Sequence, residues 1–218
     1  MKKLITICLV VGIILAVCVP AQATLLSDLL VSGATITSGD KLFSNFKNWN
    51  STVDAADVTV SAYQNLTNSE YGLKFTSVAL KLDSAGGLSA SFDYIVQPTL
   101  PGYLISDNTL TMMGTGGGGI YIFETATDAA DETKTLASKM TYLVSGMGIA
   151  TDHVVYTNPV AAVHVYKSIT LNWAGGTAGA AGPSLTEFTQ TFSQVPEPAT
   201  VALLGLGALS LIRRKRSA

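Results

Sequence analysis

The chain has 218 residues, which bounds it to one domain or at most two. Its formal charge of −2 hides a split: two cations at the start, four at the end, and between them seven lysines, no arginine and 14 of the 15 acids. An acidic, arginine-free middle argues against nucleic acid or an anionic lipid surface as its partner.

Residues 1–23 read MKKLITICLVVGIILAVCVPAQA. Lys2 and Lys3 precede an apolar run from Leu4 to Val19, and Ala21 and Ala23 supply the small residues that signal peptidase needs. The segment is expected to be a signal peptide cut before Thr24. A retained anchor is the bland alternative, and a lipid-modified Cys18 is disfavoured by the β-branched Val17 before it. Both cysteines, Cys8 and Cys18, leave with this leader. The mature protein would then have no disulfide, no thiolate metal site and no cysteine nucleophile.

Residues 24–194 begin with one short helical candidate, TLLSDLL, and then alternate with period two. ADVTVSAY, YGLKFTSVALKL, GIYIFETAT, KMTYLVSG, DHVVYT and TEFTQTFSQ are strand-like. In GLSASFDYIVQ, Leu88, Ala90, Phe92, Tyr94 and Val96 share one face. In AAVHVYKSITLNW, Val163, Val165, Ile169, Leu171 and Trp173 share a face interrupted only by Lys167. The expected fold is all-β: a jelly-roll-like antiparallel β-sandwich of about ten strands, flanked by an N-terminal signal helix and a short C-terminal transmembrane helix.

Gly116 to Gly119 do not read as a phosphate cradle, because no Gly-Lys-Ser/Thr follows and the next segment is a strand. They are expected to form a flexible hairpin loop. Ala174 to Pro183 is a second glycine-rich loop.

Catalytic signatures are sparse. His153 and His164 lie in strand-like runs and are expected to be solvated sheet residues before they are a metal pair or a general base. Ser145, in LVSGMG, lacks the glycine that a nucleophile elbow requires. Asp128, Asp131 and Glu132 offer hard oxygens for Ca²⁺ on a loop between strands, but without an EF-hand spacing; a solvated acidic loop is the first expectation. Trp49 and Trp173 are the aromatics to inspect for sugar stacking, and the parity of Trp173 assigns it to the core. No cofactor and no enzymatic activity are expected.

Residues 195–218 hold Val195-Pro196-Glu197-Pro198, an apolar run from Ala199 to Ile212, and then Arg213, Arg214, Lys215 and Arg216. As a helix the 14-residue apolar run spans about 21 Å, against a hydrocarbon thickness of about 30 Å, so it suits a temporary hold better than a permanent anchor. The four cations would form a cytoplasmic stop, leaving the middle domain outside. Pro196, Glu197 and Pro198, the short helix and the terminal cations together resemble the PEP-CTERM sorting signal. The resemblance implies that an exosortase, a membrane transpeptidase, recognises the Pro-Glu-Pro motif and processes the chain near it. An extended segment that starts no sheet ladder would give that enzyme its grip.

The domain itself resembles, through SGATITSGDKLFSNF, YLISDNTLTM and TEFTQTFSQVPEP, a recurring ectodomain of PEP-CTERM cell-envelope proteins with no assigned activity. These features imply a secreted, non-enzymatic protein of a Gram-negative-type bacterium, exported across the inner membrane. It would be held there transiently and then delivered to the cell envelope or the exopolysaccharide matrix. The alternatives are a carbohydrate-binding module, marked by a line of exposed aromatics on one sheet face, and a polysaccharide hydrolase, marked by two facing carboxylates.

Overall fold

The computed structural model describes residues 23–176 and 180–198. Residues 1–22 of the leader (with Ala21), the apolar run from Ala199 and the cluster Arg213, Arg214, Lys215 and Arg216 lie outside the described residues. The chain forms β1 (Ala23–Leu25), α1 (Leu26–Leu29), β2 (Thr35–Ser38), β3 (Lys41–Ser51), β4 (Val58–Asn65), β5 (Glu70–Ser77), β6 (Gly86–Pro98) and β7 (Tyr103–Thr115). It continues with β8 (Gly119–Asp128), β9 (Asp131–Val144), β10 (Met147–Ile149), β11 (Thr151–Val160), β12 (Val163–Trp173) and β13 (Ser184–Pro196). All pairings between these strands are antiparallel. One sheet runs β1-β4-β5-β13-β7-β11, and the other runs β10-β9-β8-β12-β6-β3-β2. The protein is an antiparallel β-sandwich.

Among the described residues thirteen strands form where about ten were expected, because tight turns create short extra ones. Ser145 and Gly146, at φ 51° and 80°, make the two-residue turn that pairs Met147 with Val144 and adds β10. The Ser145 hydroxyl group is therefore on a hairpin tip. Gly39, at φ 54°, opens the Gly39-Asp40 turn between β2 and β3.

The run Gly116–Gly119 differs from expectation more deeply. It joins β7 to β8, which lie in different sheets, so it is a corner between layers and not a hairpin. A side chain on Gly116 or Gly118 would collide with the backbone of Gly182 or Asn172, which explains the demand for glycine there.

The core sits between the sheets, as the alternation predicts. Ala90, Phe92, Tyr94 and Val96 of β6 and Val163, Val165, Ile169 and Leu171 of β12 are buried. Phe75 of β5 stacks on Phe188 of β13 at 4.5 Å between ring centroids and tilts against Phe92 across the layers at 5.3 Å. Trp173 departs from its assignment. It is half-buried at the end of the sandwich, under the Gly117–Gly118 corner and Gly182, and is not part of the central cluster. Trp49 does pack on the core, tilted against Phe92 at 6.0 Å, and donates its indole N–H to the Val53 carbonyl at 3.0 Å. Neither tryptophan stands on an open sheet face.

Candidate functional site

The outer face of the seven-stranded sheet is built by the residues that alternate with the core positions of β9, β8 and β12. Tyr142 lies opposite Tyr121, Met140 opposite Phe123, and Phe123 opposite Ser168. The Tyr121 and Tyr142 rings stack, with centroids 6.3 Å apart. Tyr166, two residues along β12 from Ser168, continues the line diagonally, within the reach of neighbouring aromatic side chains. Phe123, Met140 and Tyr166 are each more than two-fifths exposed. Ser89 and Ser91 of β6 and Ser168 and Thr170 of β12 lie beside the line on the same face. The result is an aromatic strip edged with hydroxyl groups.

One end of this face is polar. Asp93 is almost fully buried although it points outward, because His164, Asn48 and Lys47 converge on it. His164 Nε2 lies 3.0 Å from Asp93 Oδ2, Asn48 donates to the same oxygen at 3.1 Å, and Lys47 Nζ is 3.7 Å away. His164 is thus tied into a cluster, whereas it was expected to be solvated. His153 lies in the other sheet and shares a hydrogen bond with Thr109 at 2.9 Å, so the two histidines do not meet.

The acidic loop does not converge on a common point. Asp128 accepts from the Ala130 N–H, Asp131 accepts from the Thr133 N–H and hydroxyl and pairs with Lys134, and Glu132 lies 3.7 Å from His164. Among the described residues no group of three or more His, Cys, Asp or Glu is placed to hold a metal ion.

A groove of about 660 Å³ opens between the sheet edges and is lined by Asp28, Thr35, Thr37, Tyr63, Gln64 and Tyr71. Ser38 closes its floor by donating to the Tyr63 carbonyl at 2.9 Å and accepting from the Tyr63 N–H at 3.2 Å.

Directly beneath the aromatic strip, the inner faces of the same strands carry charge. Glu124 of β8 is opposite Lys139 of β9 on one side and Lys167 of β12 on the other. All three side chains are almost wholly buried. The facing sheet supplies Asn108 of β7 and Gln190 of β13, both fully buried. Lys167 pairs with Glu124 and Gln190 in short contacts. Lys139 donates to Asn108 Oδ1 at 2.6 Å and to the Asn108 carbonyl at 3.0 Å, and lies 3.4 Å from Glu124 Oε1. Asn108 Nδ2 donates to that same carboxylate oxygen at 2.5 Å.

Burial pushes Lys139 below its ordinary value despite the nearby Glu124 carboxylate, and pushes Lys167 down to about 8. Burial also pushes Glu124 up, but the charges of Lys167 and Lys139 outweigh it and hold the carboxyl below its ordinary value. The hydroxyls of Tyr94 and Tyr156 are driven up by burial and then by the charge of Glu124. Sequence reading saw only Lys167, as an exception to the parity of its strand. The same signal, a charge among inward residues, was present at Glu124 between Ile122 and Ala126 and at Lys139 between Ala137 and Thr141.

At the other end of the molecule β13 runs without a break into the Pro-Glu-Pro segment. Pro196 pairs with Tyr103, and the Glu197 N–H donates to the Gly102 carbonyl at 2.8 Å. The expectation that this segment stays out of the ladder is therefore corrected. Glu197 points its N–H toward β7, so the nitrogen of Pro196, one residue earlier, faces the opposite side. Pairing with β5 has already ended there at Phe192, and no donor is required.

Residues 194–216 match the family model of the PEP-CTERM protein-sorting motif. The chain carries a PEP-CTERM sorting signal. The motif marks it for export, transient membrane anchoring and processing by an exosortase. No curated protein matches the PEP-CTERM chain. Solved structures similar to it include TmCBM61 in complex with β-1,4-galactotriose, at 15% identity over 68% of this chain and 88% of that one, with a TM-score of 0.32. Another is the family 32 module from C. perfringens NanJ in complex with galactose, at 11% over 63% and 94%, with a TM-score of 0.26. A third is a CBM4 structure, at 10% over 80% and 100%, with a TM-score of 0.32. TM-scores of this size do not establish a common fold.

Proposed function

We propose that this PEP-CTERM chain is a non-enzymatic protein of a Gram-negative-type cell envelope or its extracellular matrix, and that its sandwich engages exopolysaccharide. The sorting motif carries the reading, because it directs the domain to export and a transient membrane hold. The leader is removed by signal peptidase after Ala23, and exosortase then acts at Pro196-Glu197-Pro198. The strip Tyr142–Tyr121–Phe123–Tyr166, with its flanking serine and threonine hydroxyls, supports a carbohydrate partner: ring faces stack on the apolar faces of sugars, and hydroxyls bond their edges. The groove between Tyr63 and Tyr71 offers a second polar, aromatic surface of the same chemistry.

The test is to isolate the mature protein from its own cells and measure its retention on polysaccharide purified from the same culture. Retention that free polysaccharide competes away is expected. Absence of affinity, together with complete release as a free monomer, overturns the proposal. Mass measurement on the same sample fixes both termini and reads the two processing steps directly.

A further inference from the structure

The buried row Lys139–Glu124–Lys167 is not electrically balanced. Two ammonium groups share one carboxylate in a region closed to water, and an excess buried charge is among the costliest arrangements a protein interior can hold. One lysine must lose its proton or be consumed. Lys139 stands against the side-chain amide of Asn108 through its oxygen, with a carboxylate beside both. We propose that Lys139 and Asn108 join in an intramolecular isopeptide cross-link, with Glu124 as the group that moves the protons.

The atoms balance without any co-reactant. Neutral Lys139 attacks Cγ of Asn108 through the Nζ lone pair, forming the Nζ–Cγ bond and moving the carbonyl electrons onto Oδ1. Glu124 Oε1, 3.4 Å from Nζ and 2.5 Å from Nδ2, takes a proton from Nζ and delivers it to Nδ2. Collapse of the tetrahedral centre restores the carbonyl, breaks the Cγ–Nδ2 bond and releases ammonia. The product is a secondary amide from β7 to β9, one strand in each sheet. It leaves Lys167 and Glu124 as a one-to-one pair, which removes the imbalance.

Three features support this pair, and the second of them separates it from Lys167 and Gln190, which also touch. Lys139 already touches the Asn108 amide oxygen at 2.6 Å, so the reactants are held in place by the fold. The leaving nitrogen of Asn108 is bonded to Glu124, whereas the amide nitrogen of Gln190 has no partner to protonate it. Burial also holds Lys139 toward the neutral form that a nucleophilic amine needs. The chemistry suits an exported chain whose cysteines, Cys8 and Cys18, both lie in the leader. It would tie the two layers together where no disulfide does.

The experiment is peptide mass spectrometry on the full chain, produced with its own export signals and recovered folded. Trypsin would place Asn108 in the peptide that ends at Lys134 and Lys139 in the one that follows. The expected result is a single branched species that joins residues 82–134 to residues 135–167, uncut after Lys139 and lighter by one ammonia than those two segments together. Lys139→Arg and Asn108→Ala should each release separate peptides, and Glu124→Gln, which keeps the side-chain volume, should leave the reactants unjoined. The wild-type measurement stands alone if a variant fails to fold. Folded wild-type protein that yields unlinked, unmodified Asn108 and Lys139 peptides overturns the proposal. A link through Lys167 or Gln190 overturns the choice of pair, and a link retained in Glu124→Gln removes Glu124 from the reaction.

Discussion

In one stretch of β8, β9 and β12 the two faces reverse the usual distribution of side chains. Toward the core these strands place Lys139, Glu124 and Lys167 in one transverse row, and toward solvent they place Tyr142, Tyr121, Phe123, Met140 and Tyr166. Elsewhere the same sheet obeys the ordinary rule, with Phe92, Tyr94 and Val96 of β6 inside and Ser89 and Ser91 outside. A sandwich selected for stability alone has no reason to bury two amines while exposing a line of rings. Under the two proposals above, the inversion marks where the fold would serve something besides its own cohesion: a cross-link within and matrix binding without.

Breaking the inner row should have the largest effect. Glu124→Leu strands two buried cations and should cost about 3–5 kcal/mol, read from the midpoint of urea unfolding. Replacing Lys139, Glu124 and Lys167 together with Met, Leu and Met should recover most of that loss, because buried charge groups and well-packed apolar ones of like volume are often close in stability. A triple variant as unstable as Glu124→Leu would mean the row is there for cohesion after all.

The next effect is on pH dependence. Lys167 is held near 8 in the folded chain against an ordinary 10.5, so the unfolded chain binds more protons between those values. The contribution of Lys167 to stability should rise as pH climbs through that window. Glu124 has the opposite profile: its folded value lies below 4.5, so its contribution is lost as pH falls beneath that point. Unfolding midpoints from pH 3 to 10 check both signs, and a Lys167→Met variant should flatten the alkaline limb.

The outer strip should respond in reverse, with binding lost and stability kept. Phe123→Ala and Tyr166→Ala should each weaken retention on matrix polysaccharide by about 1 kcal/mol and shift unfolding by less than about 0.5 kcal/mol. Equal losses in both measurements would make the strip an unfinished part of the core. The smallest effect on the fold is expected at the tail: Pro196→Ala should change stability by less than about 0.5 kcal/mol, since no ladder donor is at stake. Its effect should appear as unprocessed chain on a mass spectrum.

The alternation of β6 and β12 was legible because each residue there has one neighbour set and one face, and period two assigns both. The charged row was not, since it exists only when β9, β8 and β12 are placed side by side, and strand order is absent from local pattern. Each strand carries a single charge among inward residues, which in isolation reads as an exception. The Gly116–Gly119 corner failed for the same reason: a turn between sheets and a turn within one use the same residues. The Pro-Glu-Pro motif was recognised, but its attachment to Gly102 depended on where β5 stops, a tertiary fact.

That attachment has a mechanical consequence. β13 is the strand that leads into the sorting motif, and it is bonded to β5 on one side and β7 on the other. Ladder bonds run across the strands, so a pull on the tail acts along β13 and strains many of them at once in shear, where an edge strand peeled from its end would yield one at a time. A cell surface under flow would therefore be holding this protein by a strand seated in the interior of its sheet.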